Sequence, residues 1–132
     1  MFHTIIIIGN LGKDPEMRYS PNGQAVTSFS LASNRTYKGN DGQQVKETTW
    51  FRITVWGNQA ESCNQYLKKG SKVLVEGRLI PDDKGSPRVF QRKDGTYGAS
   101  FEVNAQTVRF LSSIGESTEH SEEADDGGDI PF

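Results

Sequence analysis

Apolar residues along this chain recur mostly at every second position, in short runs broken by Gly, Pro, Asn and Asp. That period belongs to half-buried strands rather than helices. The first run, Phe2 to Ile8, is rich in β-branched residues and stops at Gly9, with Gly12 and Pro15 following. It is apolar on both faces, so both are expected to be covered, inside the domain or at a subunit contact. Pro21-Asn22-Gly23 marks a turn, and Gln24 to Ser33 then reads as a strand with Phe29 and Leu31 facing inward. The polar stretch from Asn34 to Glu47 carries Asn40-Asp41-Gly42 as its hairpin turn. Thr48 to Trp56, Ser71 to Ile80 and Thr96 to Leu111 are further strands. An excursion beginning at Pro81 separates the last two and ends at the Asp94-Gly95 turn.

One segment has helical character. Asn58 is placed to cap it, Glu61 follows three residues later, Lys68 and Lys69 occupy the expected last turn, and Gly70 is suited to end it. Ala60, Cys63 and Leu67 form its apolar face, with Tyr66 beside them. The order is three strands, a helix, then two strands, all within residues 1–111. Five antiparallel strands with a helix between the third and fourth give the all-β OB-fold arrangement, a five-stranded Greek-key barrel. From Ser112 onward apolar residues nearly vanish, and that segment is expected to lack structure because it cannot bury enough surface to offset its ordering entropy.

Charge divides the chain at the same place. Seven acids and no Lys or Arg lie between Glu116 and Phe132, so the formal net charge of -2 conceals a body with all 15 bases against ten acids. The body is basic and the tail acidic, and the overall balance says little about partners. The longest aliphatic run, Ile5 to Ile8, is far too short to span a membrane. Met1-Phe2-His3-Thr4 has none of the cationic lead-in of a secretory signal, and a cytoplasmic location is expected. Cys63 is the only cysteine, which excludes an internal disulfide and a cysteine-based zinc site;. The two histidines, His3 and His120, lie at opposite ends, so neither a histidine-centred triad nor a multi-histidine metal site is expected. No metal and no cofactor is called for.

The nine residues from Thr48 to Trp56 carry the most chemistry. Side chains alternate across a strand, so Phe51, Ile53 and Val55 form one apolar face, the core side. The opposite face holds Trp50, Arg52, Thr54 and Trp56, which places both tryptophans of the chain on the expected solvent side with an arginine between them. Indoles stack on flat bases and the cation meets phosphate, as on a single-strand nucleic-acid platform. The alternative is that the tryptophans cover a second sheet or a subunit interface. Arg35-Thr36-Tyr37-Lys38, expected in the loop before this strand, repeats the mixture of aromatic and cation. So does Arg88-Val89-Phe90-Gln91-Arg92-Lys93, where Arg88, Phe90 and Arg92 share one face of an extended segment. Convergence of the three on one side of the barrel would make a groove with stacking rungs and charged walls, extended by Arg18, Lys69 and Lys72. Stacking rungs alone do not distinguish DNA from RNA.

The tail is expected to act separately. Residues 112–124 read as a short acidic linker. The last eight residues, with Asp125, Asp126 and Asp129 upstream of Ile130-Pro131-Phe132, combine acids, an apolar anchor and a terminal carboxylate, the elements of a linear motif that docks in a basic-rimmed pocket. Asp82 and Asp83 are the one adjacent carboxylate pair on the excursion, but nothing supplies a base or metal partner, and an enzyme reading is rejected.

These motifs resemble, in order, those of bacterial single-stranded DNA-binding proteins. The resemblance rests on Gly9-Asn10-Leu11-Gly12-Lys13-Asp14-Pro15, Arg18-Tyr19, Pro21-Asn22-Gly23 and Trp50-Phe51-Arg52. It continues through Tyr66-Leu67-Lys68-Lys69-Gly70-Ser71, Val75-Glu76-Gly77-Arg78-Leu79 and the Asp-Ile-Pro-Phe ending. It implies an OB-fold homotetramer that wraps single-stranded DNA in replication, recombination and repair, with a tip that recruits genome-maintenance proteins. It places stacking aromatics at Tyr37, Trp50, Trp56 and Phe90 and phosphate-contacting cations at Arg18, Arg52 and Lys69. It also implies association with the nucleoid. The chain departs from the family pattern in four places. Asn58 stands where a Lys is frequent, and Phe51 where some members carry a His at a subunit contact. The excursion 81–95 is longer than in enterobacterial members, and the linker is short and acidic.

Overall fold

The computed structural model describes residues 1–112; the expected linker and the docking tip at Asp125, Asp126, Asp129, Ile130, Pro131 and Phe132 lie outside the described residues. Seven strands and one helix follow in the order β1 (Ile5–Leu11), β2 (Glu16–Tyr19), β3 (Ala25–Lys38), β4 (Gln44–Trp56), α1 (Asn58–Tyr66), β5 (Lys72–Leu79), β6 (Arg88–Gln91) and β7 (Tyr97–Phe110). Five of the strands close a barrel. β1 pairs with β5, β5 with β7, β7 with β4 and β4 with β3, and β3 returns to β1 at Asn10↔Ala32 and Leu11↔Leu31. The OB-fold expectation holds, with the helix between the third and fourth barrel strands. One pairing departs from the all-antiparallel arrangement: β4 and β7 run parallel from Phe51↔Phe101 to Thr54↔Asn104. A closed barrel with an odd number of strands cannot alternate direction all the way round, so one neighbouring pair must be parallel.

Alternation fills the interior. Ile7, Leu11, Phe29, Leu31, Ile53, Val55, Val73, Val75 and Val103 are buried, and α1 seals one end with Ala60 and Cys63. Fully burying each large aliphatic chain contributes roughly 1.5–3 kcal/mol. Three hydrogen bonds fix the plug. The buried hydroxyl Oγ1 of Thr27 donates to the Ala60 carbonyl at 2.6 Å. The Gln59 amide binds β7 twice, donating to the Gln106 carbonyl at 2.8 Å and accepting from Val108 N–H at 2.9 Å.

The helix is shorter than its sequence pattern. Its N-cap is Gly57 at φ 73, and no side chain caps it, so Asn58 is the first helical residue and not the cap. The chain leaves β4 through a left-handed turn open to glycine, fixed by Gly57 N–H on the Ala25 carbonyl;. At the other end Leu67 turns extended, at φ -96 and ψ 151, which places its side chain in the core. Lys68 and Lys69 therefore lie beyond the helix, in the turn leading to β5.

Two further strands flank the barrel. β2 pairs with β3 and β6 with β7. The β3–β4 ladder runs unbroken from Val26↔Trp56 to Lys38↔Gln44, well past the four residues that β4 shares with β7. Beyond Trp50 these strands project as a two-stranded arm, and Arg35-Thr36-Tyr37-Lys38 is strand, not loop. The residues β6 and Tyr97–Ser100 form a second arm whose outer turn holds Asp94.

Candidate nucleic-acid interface

Register alone assembles a continuous outer face. Across β2, β3 and β4 one row reads Arg18, Val26, Trp56. A second, across β3, β4 and β7, reads Ser30, Arg52, Glu102. A third, across β5, β1, β3 and β4, reads Lys72, Asn10, Ala32, Trp50. Directly opposed side chains lie about 4.5–5.5 Å apart at Cβ, so each row is a strip of neighbours. Trp50 and Trp56 remain 53% and 42% exposed on this face, although large aromatics usually find cover;. Arg52 lies between them, also exposed.

The second arm adds to the same face. Arg88 pairs with Ser100 and Phe90 with Gly98, positions that share the alternation of Glu102. Trp50, Arg52, Arg88, Phe90, Ser100 and Glu102 border one open cleft of about 470 Å³. Phe90 is 43% exposed there. Arg92 lies just past the strand, its guanidinium 5.6 Å from the Phe90 ring centre and donating to the Tyr97 carbonyl at 2.6 Å. Register thus places Arg88 and Phe90 on the shared face expected of them, and Arg92 reaches the Phe90 ring from the turn beyond β6.

Two glycines let side chains of this face approach the backbone. A Cβ on Gly12 would stand 2.6 Å from the outer edge of the Trp50 ring, and one on Gly98 would stand 2.5 Å from the Arg92 guanidinium and 2.8 Å from the tip of the Phe90 ring. All three distances are far inside van der Waals contact, so a side chain at either position would displace its neighbours. Sequence reasoning assigned no role to Gly12, Gly98, Ser30 or Glu102. The pairing of Glu102 with Arg52 across a parallel ladder brings an acid into this basic cleft.

The remaining candidates are placed less uniformly. Lys69 sits in the turn after α1, its backbone N–H held by the Asp14 carboxylate at 2.8 Å. Asp14 belongs to the same loop as Gly12, which brings Lys69 to the Trp50 end of the face. On the first arm the alternation separates the group. Lys38 falls on the Trp50 side of the ladder, whereas Arg35 and Tyr37 fall on the opposite side with Val45 and Glu47. Arg35 lies 4.7 Å from the Tyr37 ring centre and 3.6 Å from Glu47. The expected convergence of three segments is thus met by two, with the first arm presenting its aromatic and cation on its other face.

Asp82 and Asp94 have structural work of their own. Asp82 accepts from the backbone N–H groups of Ser86 and Lys84, at 2.8 and 2.9 Å. Those bonds hold its carboxyl below the ordinary value of 3.8. Asp94 is lowered in the same way by the Thr96 hydroxyl and N–H. Both are turn-forming carboxylates. Among the described residues no cluster of His, Cys, Asp and Glu could hold a metal ion, and no helix is long and apolar enough to cross a membrane.

Comparison with known proteins agrees with this geometry. The model of the single-strand binding protein family matches residues 2–111. A single-stranded DNA-binding protein of Neisseria meningitidis is 40% identical over 116 residues, covering 88% of this chain and 63% of its relative. The chain thus spans less than two thirds of that relative's length. A protein of the same name from Halalkalibacterium halodurans is 36% identical over 132 residues, 99% of this chain and 74% of its own. Among solved structures, a Plasmodium falciparum SSB in complex with ssDNA superposes with a TM-score of 0.67 at 26% identity, covering 85% of this chain and 96% of that one.

Proposed function

Because the chain belongs to the single-strand binding protein family, we propose that it binds single-stranded DNA without regard to sequence, by stacking bases on aromatic side chains and meeting phosphates with cations. The observation that carries this is the exposed pair Trp50 and Trp56 on one strand, six residues apart with Arg52 between them. At about 3.3 Å per residue their Cα atoms are ~20 Å apart, room for several stacked nucleotides. Phe90 is the further stacking residue on this face, and Arg18, Lys38, Lys69, Lys72, Arg88 and Arg92 are its further cations. Tyr37 and Arg35, on the other face of the first arm, take up a strand that passes round that arm. The protein acts by binding and not by catalysis.

The outer side of β1 supports a second part of the proposal. Ile6 is 59% exposed and Ile8 half-buried, beside Leu74 of β5, so among the described residues one face of this apolar strand is left largely open. A copy of the same chain covers it in a homotetramer. Residues 1–111 bind DNA and oligomerise, 112–124 link, and the tip from Asp125 to Phe132 recruits replication, recombination and repair proteins. The setting is the cytoplasm, at the nucleoid.

Titration with an oligo-dT strand, followed by tryptophan fluorescence at two salt concentrations with duplex DNA as control, tests the reading. Expected is saturable quenching by the single strand, weakened by salt, and a loss of about 1–3 kcal/mol for Trp50→Ala. Unchanged fluorescence with no bound strand would sink it.

A further inference from the structure

Glu102 is the one carboxylate among the described residues bordering a cleft otherwise made of aromatic, cationic and small side chains. A bare acid there should repel phosphate, yet it is held in place by two neighbours. Its Oε2 accepts from the Ser100 hydroxyl at 3.0 Å and lies 3.5 Å from Arg88 Nη1. The two partners of the ion pair differ sharply in exposure: the Glu102 side chain is 12% exposed and that of Arg88 64%. The carboxylate is therefore fixed to the barrel, and the guanidinium reaches outward from it.

Only one nitrogen of Arg88 meets Glu102. A guanidinium carries five N–H donors in a rigid plane, so the outward edge is left to engage a second anion in a set orientation. The arm that bears Arg88 is a two-stranded ribbon of four register pairs, which by itself holds its angle weakly. Breaking the pair would leave a carboxylate only 12% exposed without its cation, a cost that favours keeping the pair as the cleft fills;.

From this geometry we infer that Glu102 is a positioning residue for single-strand binding: it aims Arg88 so that the guanidinium bridges the fixed carboxylate and a backbone phosphate. The inference rests on the binding reading above. Its consequence is opposite in sign to simple electrostatics. Removing an acid from a cation-lined groove should tighten binding, by about threefold near 0.2 M salt. Removing the residue that aims Arg88 should weaken it.

Glu102→Gln is nearly isosteric and keeps a hydrogen-bonding partner for Ser100. The affinity of the full chain for oligo-dT is measured for wild type, Glu102→Gln, Arg88→Ala and the double variant. Expected is a three- to tenfold loss, approximately, for Glu102→Gln, with the cost of Arg88→Ala shrinking by the same factor in that background. Tighter or unchanged binding by Glu102→Gln overturns the inference. So does a loss that leaves the cost of Arg88→Ala unchanged, since Glu102 would then act through Arg52 or the fold. Arg88→Lys approaches from the exposed partner, where folding is not at issue. An ammonium cannot bridge two anions in one plane, so it should lose most of what Arg88→Ala loses, and wild-type affinity there also overturns the inference. Wild-type protein that fails to bind oligo-dT sinks the binding reading itself, whereas wild-type binding with an uncoupled cycle sinks only the role of Glu102.

Discussion

Trp50 owes its pose to a residue with no side chain. The outer edge of its ring lies only 2.6 Å from where a Gly12 Cβ would stand, so Gly12→Ala must push the indole aside. The expected result is a shifted Trp50 emission and a weaker oligo-dT complex, approaching the loss for Trp50→Ala of about 1–3 kcal/mol. The circular dichroism spectrum should stay that of wild type. Fluorescence titration of the variant checks this, and unaltered binding would mean the ring tolerates another pose. Strand alternation made Trp50, Arg52 and Trp56 legible as a set, because a period of two is a property of the local chain. Gly12, Gly98 and Glu102 were not legible, because what each does depends on a neighbour brought by a different strand.

At the scale of elements, α1 shows how burial overrides a local signal. Its sequence carries a capping pattern and a cationic last turn, yet Gly57 starts it and Leu67 ends it by turning into the core. Cys63, buried on its inner face, has its thiol pushed up to about 11 from an ordinary 9.0 by desolvation. The unfolded thiol therefore ionises first, and the protein loses stability as pH rises from about 9 toward 11;. Below that window Cys63 contributes no pH dependence. Urea unfolding at neutral and alkaline pH should show this loss in wild type and a smaller one in Cys63→Ala. An equal alkaline loss in both would assign it to other groups. The two arms carry a parallel lesson. Arg35 and Tyr37 were read as a loop that could turn toward Trp50, but a continuous ladder gives every residue a face, and theirs is the other one.

The whole molecule adds the question of what covers β1. Ile6 points outward on a strand whose other face, at Ile7, is buried. Ile6→Asp should therefore leave the barrel folded while lowering the oligomeric state, read by sedimentation. A variant that stays fully assembled would move the subunit contact elsewhere. By itself the sequence determined the number and order of the barrel strands, the position of the helix, the inward placing of Phe29, Leu31, Ile53, Val55, Ala60, Cys63 and Leu67, and the tryptophan face. Each of these follows from periodicity and turn chemistry acting within a few residues. Tertiary structure alone decided the parallel β4–β7 seam, the ends of the helix, the side on which Tyr37 stands and the carboxylate placed behind Arg88. Those depend on which strands become neighbours when the barrel closes, and closure is set by the packing of residues distant in the chain.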